Sequence, residues 1–443
     1  MRFSSLALVL LLAGCASGSQ IDADPVARAE DGAVVRASVQ ALTDVMVYDI
    51  FSPPQASRVY AYATIAGHEA ARLDDPAAVP LAGRLNGLDA VPSPAGPIDG
   101  RLAGTHAFFR VADAMVFSAE RLAPARDSLL ATFDALPEGL RQRSAAHGEA
   151  VAAQILAWAA GDGYDRTRSL PRYAASTEPD RWQPTPPGYI EAIEPYWGQL
   201  RPFVLGDVAE YQAPDPPPFS TEAGSAFFED VREVYEVEQA LTEEERAIAA
   251  FWDCNPFVLY EEGHLSYAAK KITPGGHWMG IAAIAIDQSG DGPVEAWATF
   301  AHTAVALADA FIVSWIDKYR TNVIRPETVI RRTLDPMWQP VLQTPPFPEY
   351  TSGHSVISTA AAEVLTAHYG DLAFADDTEV PYGLPIRHFD SFRAAAAEAA
   401  ISRLYGGIHF RPAIENGVEQ GRAVGQAAVD RLGLTDDIAQ RQP

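Results

Sequence analysis

Three short segments in the last third of the 443-residue chain carry side chains suited to binding a tetrahedral oxyanion. Arginine and lysine supply positive charge and N–H donors for such an anion, and a serine hydroxyl and a glycine N–H add neutral donors. A histidine can ligate or attack the anion, and a second one can move a proton. In chain order the segments are Lys318 to Arg325-Pro326, Ser352-Gly353-His354 and Ser402-Arg403 to His409.

Helix ends are predicted to position the first two segments. The first ends a long apolar helix, so Lys318 and Arg325, seven residues apart, are expected to share a helix face before Pro326 stops the helix. Ser352 is a good N-cap for the alanine-rich helix that follows, which places His354 in the first turn.

The third segment lies at the other end of a helix. A helix that begins near Phe389 carries Arg403 close to its end, and the pair Gly406-Gly407 breaks it, so that His409 projects from the turn. Taken singly, each segment also fits a structural role as a helix-terminal cation, an N-cap or a C-cap. Together they predict an oxyanion cradle between two imidazoles.

The rest of the chain predicts an all-α fold. Apolar residues recur at helical spacing over 57–73, 105–122, 138–160 and 222–251, and strand-type alternation is scarce. Residues 171–218 are too rich in proline for a helix but carry several tryptophan and tyrosine residues, which favours a long loop packed over the body, or else a domain boundary.

Composition excludes several classes of protein. Apolar residues make up 48% of the chain and charged residues 21%, which is typical of a globular protein with a core. The formal net charge of −25 argues against a nucleic-acid partner, because phosphate backbones require a basic face. The most apolar window, 297–316, contains His302 and Asp309, so it is predicted to be a buried core helix rather than a membrane span.

The N-terminus resembles a bacterial lipoprotein signal. Arg2 precedes a short apolar run, and Leu12-Ala13-Gly14-Cys15 resembles the lipobox whose cysteine is lipidated after cleavage. We therefore expect a signal peptide over 1–15, a tether over 16–30, and an exported protein anchored by lipid to a bacterial membrane, on its periplasmic or outer-membrane side. An ordinary secretion signal is the alternative. Cys254 then has no disulfide partner and is predicted to be a small buried hydrophobe.

The order Lys-x6-Arg-Pro, Ser-Gly-His, Ser-Arg-x5-His resembles the vanadium-dependent haloperoxidase and type 2 phosphatidic acid phosphatase (PAP2) superfamily. Trp315, residues 345–348 and residues 407–411 are similar to its soluble bacterial haloperoxidase branch. The resemblance implies two packed helical bundles: an N-terminal helical part over 31–250 that includes the proline-rich loop, and a C-terminal bundle over 251–435 that carries the active site. It gives no oligomeric state.

The resemblance also implies a role for each motif residue. His409 matches the histidine that ligates vanadium, or that is phosphorylated in the phosphatases, and His354 matches the acid–base histidine. Trp315 and Phe347 match positions near the halide, and the phenylalanine is similar to the chloride-type enzymes. The residues that match those holding vanadate, or phosphate in the same place, are Lys318, Arg325, Ser352, Gly353, Arg403 and His409, and Lys318 also matches the donor to bound peroxide.

Two positions depart from the family pattern. Ala413 stands where an aspartate four residues after the last histidine usually orients that histidine, which argues against strong phosphatase activity. Glu415 or Asp390 is a possible substitute. Thr351 stands where a proline is usual before Ser-Gly-His.

Three functions follow from these observations. The first is an exported vanadium-dependent haloperoxidase that oxidises halide with hydrogen peroxide. The second is a soluble PAP2-type phosphatase that hydrolyses small phosphomonoesters through a phosphohistidine, and the third is an anion-binding lipoprotein without catalysis.

Overall fold

The computed structural model describes residues 32–75, 78–262, 264–268 and 270–434. Outside the described residues lie the predicted signal peptide with its lipidation site Cys15, and the predicted tether. Residues 31 and 435, at the outer ends of the two predicted helical parts, lie outside them too. The α-helices of the described residues are α1 Ala33–Tyr48, α2 Pro53–Ala71, α3 Gly100–Met115, α4 Ala123–Ala131, α5 Glu138–Ala160, α6 Tyr164–Arg168, α7 Ala226–Ala240, α8 Glu243–Phe251, α9 Pro274–Ser289, α10 Pro293–Thr321, α11 Pro326–Thr333, α12 Gly353–Tyr369, α13 Phe392–Tyr405 and α14 Arg411–Leu432.

Short elements complete the fold. Two antiparallel hairpins pair β1 Leu259–Glu262 with β2 Leu265–Ala268, and β3 Phe374–Asp376 with β4 Arg387–Phe389. Single 3₁₀ turns lie at Arg72–Asp74, Ala119–Arg121, Trp197–Gln199, Val208–Tyr211 and Val380–Tyr382. The prediction of an all-α fold is confirmed.

Helix α10 joins two bundles. It packs against α2, which with α3 and α5 forms the N-terminal bundle, and against α12, which with α13 and α14 forms the C-terminal one. Its most apolar stretch of 18 residues is long and apolar enough to cross a membrane, but 94% of that stretch is buried within the protein. Trp297 fills the contact with α2, where Gly67 leaves room for its ring.

The C-terminal bundle depends on close backbone contact between α12 and α14. A Cβ on Gly421 would lie 2.3 Å from the carbonyl oxygen of Val356, and one on Gly417 would lie 2.9 Å from the Cβ of Ser355. Only glycine permits this approach. The contact brings the start of α12 against the first turn of α14, where Ser352 N–H donates to the Ala413 carbonyl at 3.0 Å.

The proline-rich segment 171–218 packs against α10. Trp182 and Trp197 are fully buried. Asp309 on α10 accepts the backbone N–H groups of Phe203, Val204 and Leu205 at 2.6–3.1 Å. The segment therefore covers the body as a long loop whose only helical turns are short.

Two helices replace the single one expected over 222–251. The apolar spacing runs through residue 241, but Thr242 starts a new helix. Its hydroxyl accepts from Glu245 N–H, and the Glu245 carboxylate accepts from Thr242 N–H at 2.8 Å, which makes a capping box.

Candidate active site

A cleft lies where several helix ends converge. Its walls come from the first residues of α2, α9 and α12, the last turns of α10 and α13, the segment that follows α8, and the loops that precede α12 and α14. The lining residues are Pro53, Asp253, Cys254, Asn255, Pro256, Phe257, Pro274, Phe311, Trp315, Gln343, Pro345, Phe347, Gly353, His354, Arg403, Ile408 and His409.

His409 is held by a carboxylate. Its Nδ1 lies 2.8 Å from Glu349 Oε1, and the same oxygen accepts the Phe410 N–H at 2.9 Å. Because the acidic oxygen accepts, the Nδ1 atom carries the proton and the lone pair remains on Nε2. Both side chains are almost completely buried. The arrangement leaves Nε2 as a nucleophile or ligand atom.

Arg325 lies against that nitrogen. Its Nη1 is 3.2 Å from His409 Nε2 and donates to the Ile408 carbonyl at 2.9 Å, while Nε donates to the Phe347 carbonyl at 2.9 Å. The remaining nitrogen, Nη2, is buried without a hydrogen-bond partner. A buried, unpaired guanidinium donor beside an imidazole is costly unless an acceptor binds it.

Arg325 and Lys318 do not share a helix face, contrary to the sequence prediction. Asn322, with φ of 50°, ends α10 in the left-handed region, and Arg325 is extended backbone at the N-cap of α11. Lys318 still reaches the site from the last turn of α10. Its Nζ donates to the carbonyls of Pro348 and Glu349 at 3.2 Å each, and to that of Thr351. It thus holds the loop that carries Glu349.

Ser352 and His354 begin α12 as predicted. Ser352 Oγ caps the helix by accepting from Ser355 N–H at 3.3 Å, and His354 faces the cleft with a buried Nε2 that has no partner. A Cβ on Gly353 would stand 3.6 Å from the Trp315 ring, an ordinary contact distance, so steric hindrance alone does not require glycine at this position.

Arg403 enters the cleft wall from the last turn of α13. Its Nη2 donates to the Trp252 carbonyl at 2.7 Å and its Nε to Ser402 Oγ at 2.9 Å. The turn after it contains Gly407 with φ of 72°, which only glycine adopts readily, and this turn aims His409 at the cleft.

The two predicted halide-pocket residues lie together in the wall. The rings of Trp315 and Phe347 are 4.9 Å apart. Lys318 Nζ lies 5.1 Å from the centre of the Phe347 ring, and so does Arg325 Cζ. The pocket therefore combines aromatic surface with nearby positive charge.

The electrostatics of the site favour an anion. The pKa of Lys318 is held well below its ordinary value, mainly by burial and next by the positive charge of Arg325. Burial also lowers the pKa of Arg325 to about 10. Burial and the surrounding cations likewise hold the pKa values of His354 and His409 well below 6.5. A bound oxyanion would accept from the unpaired Arg325 Nη2, place an oxygen near the unpartnered His354 Nε2, and offset this excess of buried positive charge. The residues present therefore fit vanadate.

Glu349 is the functional residue that sequence reasoning missed. Glu415, which we considered as a substitute for the usual aspartate, is exposed and lies 3.7 Å from Arg411, and Asp390 is exposed too. Ala413 itself is buried beside Tyr350. The only signal in the sequence was an acidic residue three positions before Ser352.

We predict that Glu349→Gln weakens vanadate binding by about 10–100-fold, because the neutral amide is a poorer acceptor for the His409 Nδ1–H. The measurement is a vanadate titration of peroxide-dependent activity at pH 8. The matched control is Glu363→Gln, which removes another mostly buried glutamate that pairs with Arg393 outside the cleft. Equal affinities in all three proteins would contradict the role of Glu349.

The same carboxyl group predicts a pH-dependent stability. Burial raises the pKa of Glu349 from 4.5 to about 7. The folded protein therefore binds more protons than the unfolded chain between these values, so its stability falls as the pH rises through this window, by about 3 kcal/mol. Urea unfolding of the vanadate-free wild type and of Glu349→Gln measures this. Between pH 4.5 and 7.5 we expect the free energy of unfolding of the wild type to fall by that amount relative to the variant. A difference in free energy of unfolding that stays constant over this range would contradict the raised pKa of Glu349.

Several known proteins are similar to this chain in fold, and some are similar in sequence as well. Residues 298–434 match the VCPO second helical-bundle domain. A crystal structure described as that of the first bacterial vanadium-dependent iodoperoxidase is 47% identical, with a TM-score of 0.86, over 90% of this chain and 96% of that one. An apo-type bacterial vanadium-dependent chloroperoxidase, 17% identical with a TM-score of 0.65 over 85% and 93% of the two chains, shares the fold.

A fungal relative matches a shorter stretch. The vanadium chloroperoxidase of Curvularia inaequalis is 29% identical over an alignment of 164 residues, and the match covers 25% of this chain and 27% of that protein. The chain belongs to the vanadium-dependent haloperoxidase family. The predictions that this chain is a vanadium-dependent peroxidase and that its cofactor is vanadate are confirmed.

Proposed function

We propose that this protein oxidises iodide with hydrogen peroxide at a vanadate held by His409. The observation that carries the proposal is the His409–Glu349 pair: it leaves the His409 Nε2 lone pair, 3.2 Å from Arg325 Nη1, beside the unpartnered Arg325 Nη2 and His354 Nε2 of the cleft. The identity of 47% to an iodoperoxidase, over almost the full length of both chains, supports the choice of halide. That identity outweighs the similarity of one residue, Phe347, to the chloride-type enzymes.

The cradle residues have separate tasks in this proposal. His409 Nε2 would be the ligand of a bound vanadate, and Arg325 Nη2, Arg403, Ser352 and the Gly353 N–H would donate to its oxygens. When bound, vanadate supplies a Lewis acid that activates peroxide without changing its own oxidation state. Lys318 already uses its three N–H bonds on carbonyls. Donation to peroxide therefore requires it to release one carbonyl of the loop.

His354 is proposed to move the proton. Its depressed pKa keeps the imidazole neutral near pH 7, so that Nε2 can accept a proton from hydrogen peroxide. Overall, iodide, hydrogen peroxide and one proton give hypoiodous acid and water. The proton required by the product can return from the same imidazole.

The cleft wall suits a large, weakly hydrated halide. Phe257, Phe311, Trp315 and Phe347 line it, and the cations behind Phe347 add attraction for an anion. Removing water from iodide costs less than removing it from the smaller chloride, so a largely apolar wall favours iodide.

An assay of purified, chelator-treated protein tests this proposal. Orthovanadate is added stepwise, and oxidation of iodide, bromide and chloride by peroxide is followed. We expect no activity without vanadate, saturation near one vanadate per chain, iodide as the best substrate, and competition by phosphate. Activity with no halide at any vanadate concentration would refute the proposal.

One observation favours phosphomonoester hydrolysis as a second candidate. Glu349 supplies the carboxylate that the sequence lacks at Ala413, so His409 is oriented for attack on phosphorus as well. Hydrolysis of p-nitrophenyl phosphate by the vanadate-free protein, inhibited by vanadate, would support this activity. If neither halide oxidation nor phosphomonoester hydrolysis is detected, the third possibility, an anion-binding lipoprotein, remains.

We also propose that Cys15 is lipidated and that the protein is exported and anchored to a bacterial membrane. The lipobox-like Leu12-Ala13-Gly14-Cys15 after an apolar run supports this. In detergent phase partitioning of cells that express the full chain, the wild type should enter the detergent phase and Cys15→Ser the aqueous phase. Equal partition of the two would contradict lipidation at this residue.

A further inference from the structure

A second group of polar side chains is buried beside the cleft and has no part in the proposed reaction. Cys254 follows α8, His277 lies in the first turn of α9, Asp376 ends β3, and Glu379 follows shortly after it. Their exposed fractions are 1%, 0%, 0% and 3%. Four such groups from three separate parts of the chain are seldom buried together unless they bind one another or an ion.

Three of their atoms form a nearly regular triangle. Cys254 Sγ lies 3.3 Å from His277 Nδ1 and 3.7 Å from Glu379 Oε1, and Nδ1 lies 3.3 Å from Oε1. A point equidistant from the three atoms is about 2.0 Å from each, and zinc binds nitrogen and oxygen at about 2.0–2.2 Å and sulfur at about 2.3 Å. An ion slightly above the triangle would meet all three distances without a rearrangement of the backbone.

The fourth side chain orients the histidine. Asp376 Oδ2 lies 2.8 Å from His277 Nε2, and its other oxygen accepts from the Thr378 N–H and hydroxyl at 3.1 and 2.6 Å. Trp252 stacks on the imidazole at 4.5 Å and 16°. Histidines that ligate metals usually donate their second N–H to a carboxylate in this way. The contact leaves Nδ1 facing the triangle.

We propose that Cys254, His277 and Glu379 bind one divalent transition-metal ion, and that zinc is the ion which this set fits best. A thiolate, an imidazole and a carboxylate are the zinc ligands of proteins, whereas magnesium and calcium require oxygen. Three protein ligands leave a fourth position open. Cys254 also lines the cleft with His354 and Arg403, so an ion can enter from there. The site is distinct from the vanadate cradle and does not depend on the proposed iodide oxidation.

Cobalt substitution tests the proposal on the full chain. Purified, chelator-treated protein is titrated with Co²⁺ and then with Zn²⁺. We expect one cobalt per chain, a thiolate-to-cobalt charge-transfer band, displacement of cobalt by zinc, and a zinc Kd of about 1 µM or below. Cys254→Ser should lose the charge-transfer band and bind zinc at least about 100-fold more weakly. The control Cys15→Ser should behave as the wild type.

A second pair of variants separates ligation from folding. His277→Gln should abolish the rise in Tm that zinc gives the wild type, whereas His302→Gln, which alters another buried histidine, should retain it. Circular dichroism checks the helix content of each variant. Absence of a charge-transfer band in the wild type, or zinc binding that is unchanged in Cys254→Ser or lost only in His409→Ala, would overturn the proposal.

Discussion

Replacing His409 with alanine is expected to abolish peroxide-dependent halide oxidation and to weaken vanadate binding by at least about 1,000-fold. The side chain offers Nε2 as the ligand atom, and Glu349 fixes its tautomer from the other side of the ring. Loss of the imidazole removes the attachment, while the arginines can still attract an anion loosely. Binding and turnover should therefore both fail.

Vanadate titration of activity and of intrinsic fluorescence measures this, since Trp315 lines the cleft. The matched control is His147→Ala, which removes a buried histidine of α5 outside the cleft and should leave both quantities unchanged. Vanadate affinity in His409→Ala equal to that of the wild type would show that His409 is not the ligand.

Replacing His354 with alanine is expected to have a different signature. Turnover at saturating vanadate should fall by about 10²–10⁴-fold, the usual range for loss of a general acid–base group, while vanadate affinity changes by less than about 10-fold. The reason is geometric: His354 contributes one buried atom, Nε2, which is proposed to accept a proton, whereas other side chains supply the ligand and the donors.

The two measurements are kcat and the vanadate Kd, taken from the same titration. His147→Ala again serves as the control. A loss of affinity in His354→Ala as large as in His409→Ala would assign His354 to holding the anion, and an unchanged kcat would exclude a role in proton transfer.

The sequence predicted the parts of the site that lie within local motifs. Ser352 as an N-cap, His354 in the next turn and the glycine turn before His409 follow from preferences that act over a few residues. The long apolar run of α10 identified a buried helix in the same way.

The sequence failed where contacts between distant residues decide the structure. Glu349 and His409 are 60 positions apart, and they meet because α12 and α14 pack closely through glycines. The usual spacing of four residues after His409 therefore leads only to Ala413, and it does not identify the carboxylate that replaces the aspartate. Arg325 does not share the helix face of Lys318 because Asn322, in the left-handed region, ends α10 before Arg325 is reached. The sequence does not predict the group of Cys254, His277 and Glu379 for the same reason, since Glu379 is 125 positions away from Cys254.

The position of the anion tests the account most directly. Crystals of the protein soaked in orthovanadate should show vanadium density bonded to His409 Nε2, with Arg325 Nη2 and His354 Nε2 turned towards its oxygens. Vanadium density that is absent from the cleft, or that lies there beyond bonding distance of His409, would contradict it.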